Sequence, residues 1–310
     1  MKRVFLSKAP LPLVTAQSRH FLFTATYRAV TKGSGYLLGA LTLVCAPLAM
    51  PQHDTSETAF VETARAATAK YQDRSVAIAD GYRQIGSDFP AMGEHWINIG
   101  LLFDGKFDPA HPEVLTYVVV SGTPRLLGVA YVLPLLKGES APDWPVGKDK
   151  WHDHSRTLDE ETTLPEHHAA GHAGDAPRLT MLHAWIWLPN PAGVFEADNW
   201  AIPYFRLGIG TPQDAPEAAA KALALASGGA EYFSASIRAA VPLTAGESKK
   251  VDAVFARSRA AVEALLRRPS ITAATPSELE SLSAIWTKLW KEIDASVSPR
   301  KVGKPKPSAP

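Results

Sequence analysis

The sequence predicts an α+β fold: an antiparallel sheet of at least four strands with an N-terminal helix packed on it, followed by a C-terminal helical subdomain. Three observations carry this expectation. Several short runs alternate apolar and polar residues or are rich in β-branched and aromatic ones. No helix-length pattern separates these runs, which argues against βαβ repeats. From about residue 211 to 297 the periodicity becomes helical. The chain has 310 residues, 46% of them hydrophobic and 20% charged, enough for a sizeable core over roughly two domains. A formal net charge of +1 leaves no electrostatic footprint for nucleic acid.

The first segment, residues 1–50, reads as a signal peptide or leader. Arg28 and Lys32 precede an apolar run from Tyr36 to Ala46 that is short for a membrane-spanning helix. The expected location is therefore exported, periplasmic or secreted. Cys45 at the end of the run admits a lipoprotein form, and an uncleaved leader would leave a membrane anchor. Cys45 is the single cysteine, so the body of the chain has no internal disulfide, thiolate metal site or cysteine nucleophile.

Residues 51–210 form the expected α+β domain. Asp54 and Glu57 give a capping signal, and Phe60, Ala64, Ala67, Tyr71 and Ile78 fall on one face of a helix ending near Gly81. Glu94, Trp96 and Asn98 then alternate with His95, Ile97 and Ile99, placing His95 on an apolar strand face. Two β-rich runs, 114–120 and 125–133, are joined by Ser121-Gly122-Thr123-Pro124, a hairpin signal. A last strand over 182–188 places His183, Trp185 and Trp187 on one face, with Leu182, Ala184, Ile186 and Leu188 on the other. Pro189 to Gly193 break it, and the chain emerges at Glu196-Ala197-Asp198.

Chemistry is concentrated in the histidines. A core-facing imidazole is costly unless its nitrogens find partners, and strands carrying His95 and His183 side by side would give each a reason. Hydrogen bonds to neighbouring backbone carbonyls would explain both equally well. The irregular stretch 150–176 holds five of the ten histidines, His152, His154, His167, His168 and His172. Asp153, Asp159, Glu160, Glu161, Glu166 and Asp175 are interleaved with them. Imidazole and carboxylate donors suit zinc, copper, nickel or iron, and the spacings W-H-D-H and H-H-x-x-x-H let two imidazoles converge on one ion. A solvated polar loop would accumulate the same residues. Glu196 and Asp198 are the candidate oxygen ligands beside His183.

The helical subdomain spans 211–297. Thr244/Glu247 and Thr275/Glu278 are capping boxes, the second with Pro276 at the first helical position. Val251, Val254, Phe255, Val262, Leu265 and Leu266 form one stripe. Leu279, Leu282, Ile285, Trp286, Leu289, Trp290 and Ile293 form another, and the two can bury each other. Gly228-Gly229 split the alanine-rich segment 215–240 into two helices. The face with Trp286 and Trp290 admits a protein partner or self-association. Residues 298–310 read as a disordered basic tail.

Several motifs together resemble a family of exported bacterial proteins without an established activity. They are A-T-A-K-Y at Ala67 to Tyr71, D-G-Y at Asp80 to Tyr82, M-G-x-H-W-x-N at Met92 to Asn98, and D-P-A-x-P-E-V-L-x-Y at Asp108 to Tyr117. L-x-G-V-x-Y-V-x-P at Leu126 to Pro134 and H-A-W-I-W-x-x-N-P-A-G-x-F at His183 to Phe195 complete the pattern. The resemblance implies export and no particular reaction. The family's Asn-Pro after the phenylalanine is replaced here by Asn199-Trp200, and the histidine-rich stretch and the C-terminal region depart from it.

G-x-S-x-G, P-loop, dinucleotide-binding, H-E-x-x-H and C-x-x-C motifs are absent from the sequence. Three functions remain. The first is an exported transition-metal-binding protein that holds an ion on His95 and His183, with Glu196 or Asp198, and captures or delivers it through the histidine-rich loop. The second is a metal-dependent periplasmic enzyme of unknown substrate, with Trp185 and Trp187 walling a pocket. The third is a metal-free binding or structural module for an unknown small-molecule ligand or partner.

Overall fold

Alternation and capping signals place most of the elements. The computed structural model of the chain describes residues 55–154, 178–267 and 274–297. Within them the architecture is mixed α+β, with a curled antiparallel sheet and a C-terminal helical region. The described residues all fall within one compact unit. Among the described residues, no helix is long and apolar enough to cross a membrane. The expected leader and basic tail, like Asp54 of the first capping signal, lie outside the described residues.

The expected single first helix is interrupted. Helix α1 (Thr55–Thr68) passes into a 3₁₀ turn (Ala69–Gln72) and then a short α2 (Arg74–Ala79). Asp73 causes the break: its backbone is extended, and its carboxylate accepts from the Ser75 backbone N–H at 2.9 Å, starting a new helix. Phe60, Ala64 and Tyr71 are buried as expected, but Ile78, beyond the break, is exposed.

The sheet has six strands: β1 (Arg83–Phe89), β2 (Gly93–Ile97), β3 (Val114–Val120), β4 (Thr123–Leu135), β5 (His152–His154) and β6 (Arg178–Ala184). Their order is β1-β2-β3-β4-β6-β5, with every neighbouring pair antiparallel. After β2, Asn98 caps the one-turn helix α3 (Ile99–Leu102) through bonds from the Gly100 and Leu101 N–H groups. The β3–β4 hairpin turns on Ser121 (φ 49°) and Gly122 (φ 78°). Two successive positive φ values are the type I′ geometry that matches strand twist.

The last strand lies earlier than expected. It ends at Ala184, after which Trp185 N–H donates to Val194 O, and both Trp187 and Leu188 N–H donate to Leu127 O. The Trp187 indole crosses to the α1 side and donates to Thr68 Oγ1 at 3.2 Å. Trp187 therefore does not share the His183 face, because the alternation that put it there requires a strand that has already ended.

The two sheet faces have different linings. Trp96, Leu115, Tyr117, Val129, Tyr131, Leu182 and Ala184 form the outer face and pack against Phe60 and Ala64 of α1. The inner face is described with the site below.

Helices α4 (Ile202–Arg206), α5 (Glu217–Ala226), α6 (Gly229–Ala240), α7 (Ala245–Leu266) and α8 (Pro276–Ser296) follow. Both capping boxes form: Glu247 and Glu278 N–H donate to the Thr244 and Thr275 hydroxyls, and their carboxylates accept from the threonine N–H groups at 2.8 Å. The two apolar stripes do not simply bury each other. Alanine-rich α5, buried at Ala219, Ala220, Ala222, Leu223, Ala224 and Leu225, packs against both α7 and α8. Apart from the face of Glu217 and Lys221 the helix is apolar, so it can bury most of its circumference, and small side chains let its neighbours approach.

Candidate functional site

The inner face of the sheet is apolar at both ends and polar across its middle. At one end Ile97, Val114, Ala130 and Val132 pack together, and at the other Phe89, Val118, Leu127 and Trp185 do so. Between them runs a band: His95 on β2, Thr116 opposite it on β3, Gly128 opposite Thr116 on β4, and His183 on β6 beside Ala130. Edge strand β5 adds His152, which pairs in register with Met181. His95 and His183 are both buried.

The imidazoles meet. The His95 and His183 ring centres are 5.6 Å apart and nearly perpendicular, at 83°. His152 stacks on His183 at 5.3 Å and 23°. Trp185 also stacks on His183, at 5.5 Å, and Phe89 meets His95 edge-on at 5.6 Å. Three strand spacings separate β2 from β6, which on a flat sheet would be about 14 Å. Curling of the sheet and inward lean of the two side chains together bring the ring centres to 5.6 Å.

A β-bulge and a close backbone approach accompany the curl. The β3–β4 register shifts between Thr116, opposite Gly128, and Tyr117, opposite Leu126, leaving Leu127 as the extra residue. Bulges bend strands and raise their twist. Beside the bulge, a Cβ on Gly128 would stand 2.6 Å from Ala184 O and 3.2 Å from Trp185 Cα. Only glycine lets β4 approach the end of β6 so closely, and that end carries His183.

Edge strand β5 is tied down electrostatically. Arg178 of β6 donates through Nε to Asp153 at 2.6 Å and through NH2 to Glu139 O at 2.7 Å, with the Arg178 side chain almost fully buried. Asp153, which the sequence offers as a metal ligand among the loop carboxylates, is instead half of the ion pair that holds the strand of His152.

The remaining expected ligands are distributed as follows. The Glu196 carboxylate accepts from Lys150 at 2.5 Å, and this bond raises the Lys150 pKa. Asp198 lies farther along the chain, lining a cavity with Tyr232. His154 occupies β5 opposite Leu179. His167, His168 and His172 lie outside the described residues. Among the described residues, no group of three or more His, Cys, Asp or Glu side chains stands ready around a single metal position.

Trp185 and Trp187 do line one open cavity, of about 540 Å³, together with Arg65 and Asn190, and among the described residues no histidine lines it. The Trp185 indole N–H is directed to Glu196 O at 2.6 Å. No family model, no curated protein and no solved structure matches this chain.

Thr116 is the member of the band that sequence reasoning missed. It is 1% exposed, and its hydroxyl has no hydrogen-bond partner among the described residues. A lone polar residue in V-L-T-Y-V-V-V, in register with His95, was the available signal.

Proposed function

We propose that the protein binds a divalent transition metal on the histidine band, with His95, His152 and His183 as the imidazole donors. The observation that carries this reading is the convergence of three rings from β2, β5 and β6 at 5.6 and 5.3 Å. Imidazoles sharing one tetrahedral ion, with metal–nitrogen bonds of about 2.0–2.1 Å, have ring centres about 5 Å apart. The His95–His183 and His152–His183 separations are close to this value, so each pair needs mainly a turn of its rings to face one ion. Neutral nitrogen donors suit zinc, copper, nickel or iron. Thr116 is placed to orient a ligand water or a ring.

The histidine-rich stretch supports a capture or delivery role. In sequence, residues 155–177, which include His167, His168 and His172, connect β5, the strand of His152, to β6, the strand of His183. The leader-like N-terminus supports an exported protein that meets metal outside the cytoplasm.

The test is elemental analysis and metal titration of protein purified without a histidine tag, compared with His95→Ala/His183→Ala and with a deletion of residues 155–176. About one tightly held equivalent, lost in the double variant and kept in the deletion, is the expected result. Metal that follows the deletion instead would move the site to the loop.

A further inference from the structure

A second cavity, of about 220 Å³, lies between the first hairpin of the sheet and the helical region. Its walls carry six aromatic rings: Phe89, Trp200, Tyr232, Phe233, Trp286 and Trp290. Five of them form a continuous edge-to-face series, Phe89–Tyr232 at 5.4 Å, Tyr232–Phe233 at 5.6 Å, Phe233–Trp286 at 5.0 Å and Trp286–Trp290 at 5.7 Å. Trp286 and Trp290 stand one turn apart on α8, which explains why its stripe is heavier than helix packing alone requires.

Two charged side chains, one of each sign, also line the wall. Lys221 contributes an ammonium that is already engaged, paired with Glu217 and seated 5.0 Å from the Trp200 ring centre. Asp198 contributes a carboxylate close enough to Tyr232 to reinforce the effect of burial, which pushes that phenol up to about 12. Aromatic faces attract cations through their quadrupole, and an aromatic enclosure recognises alkylated ammonium groups. A cavity of about 150 Å³ accepts benzene, so this one suits a ligand somewhat larger.

We propose that this cavity is a binding site for a small alkylated ammonium compound, its cationic head against the rings and beside Asp198. The site is distinct from the histidine band, and the proposal is independent of the metal reading. Lys221 is already seated over Trp200 in the same wall as a cation–π pair.

The test titrates the full chain with choline, with its uncharged isostere 3,3-dimethylbutan-1-ol and with glycine betaine, followed by tryptophan fluorescence and calorimetry. Choline is expected to give a saturable signal, and the alcohol to bind at least tenfold more weakly. Asp198→Asn should weaken choline roughly tenfold and leave the alcohol unchanged, while circular dichroism confirms the fold. Tryptophan fluorescence of Trp286→Phe, which keeps a ring, should report retained choline binding. Equal affinity for choline and the alcohol would reduce the site to an apolar hole and overturn the proposal. Tighter binding of betaine, or no saturable binding of choline, tetramethylammonium or benzyltrimethylammonium, would overturn it too.

Discussion

The two faces of one sheet carry different kinds of buried polar group. In the cluster on the outer face three buried tyrosines send their hydroxyls to backbone carbonyls: Tyr117 to Tyr71 O at 2.6 Å, Tyr131 to Pro109 O at 2.8 Å and Tyr82 to Pro112 O at 2.7 Å. Burial pushes all three phenols well up, so they stay neutral donors. Each polar tip is satisfied locally, and the face serves stability. On the inner face the imidazoles are stacked on one another, and the polar group opposite His95 is a threonine hydroxyl. Imidazoles are costly to bury unless their nitrogens find partners, and this face gathers three of them, which is why the metal proposal is placed there. The outer face should accordingly respond to mutation with stability, and the inner face with ligand binding.

The largest stability effect should come from Phe60→Ala on α1. Phe60 is 1% exposed and meets Tyr131, Phe195 and Trp144 at 5.0, 5.7 and 5.4 Å. Its truncation should cost about 3–5 kcal/mol in denaturant unfolding, with metal bound per folded molecule unchanged. A loss of metal affinity in folded Phe60→Ala would show that the faces are not separable.

Glu113 sharpens the comparison through pH. It is 2% exposed beside the tyrosines, its carboxylate accepts from Val132 N–H at 2.9 Å, and burial raises its pKa from 4.5 to about 7. Because the folded pKa is raised, the native state binds the extra proton between about pH 4.5 and 7. Its contribution is fully present below pH 4.5 and is lost as pH rises to about 7. The loss should be of order 3 kcal/mol. Unfolding curves of Glu113→Gln should lack this slope and show a gain over the parent at pH 8, with little difference at pH 4.5. An unchanged slope would remove Glu113 as its source.

Gly128→Ala addresses the curl. With a Cβ held 2.6 Å from Ala184 O, β4 and the end of β6 must separate, at a cost of roughly 1–3 kcal/mol. Metal affinity should fall with it, since the ring separation depends on the curl. Stability lost with affinity intact would mean that the rings converge without it. At the small end, Tyr117→Phe should cost about 1 kcal/mol and leave metal affinity alone, checked by the same two measurements.

What the sequence made legible follows from how local each signal is. Thr244/Glu247, Thr275/Glu278, the Gly228-Gly229 break and the Ser121-Gly122 turn each depend on residues within a few positions, and each forms where expected. Strands β1 and β5 were missed for a physical reason. β1 is an edge strand whose residues are mostly exposed, so it shows no apolar alternation, and β5 is three residues held by one ion pair.

The site was half legible. His95 and His183 stood out as imidazoles in apolar strands, and the structure brings them together. His152 joins them on a strand held by Asp153 pairing with Arg178 across 25 positions, and Gly128 lets β4 approach the end of β6 that carries His183. Neither leaves a periodic trace. Glu196 looked like a ligand because it follows the histidine strand closely, but Lys150, 46 positions away, engages its carboxylate.

The most direct measurement is metal content and affinity of the untagged protein beside His95→Ala/His183→Ala, with folding verified for both. The account predicts about one equivalent of zinc, copper, nickel or iron retained through dialysis by the parent and lost by the double variant. Equal retention by the two proteins, or no tight binding by the parent on titration, would contradict it.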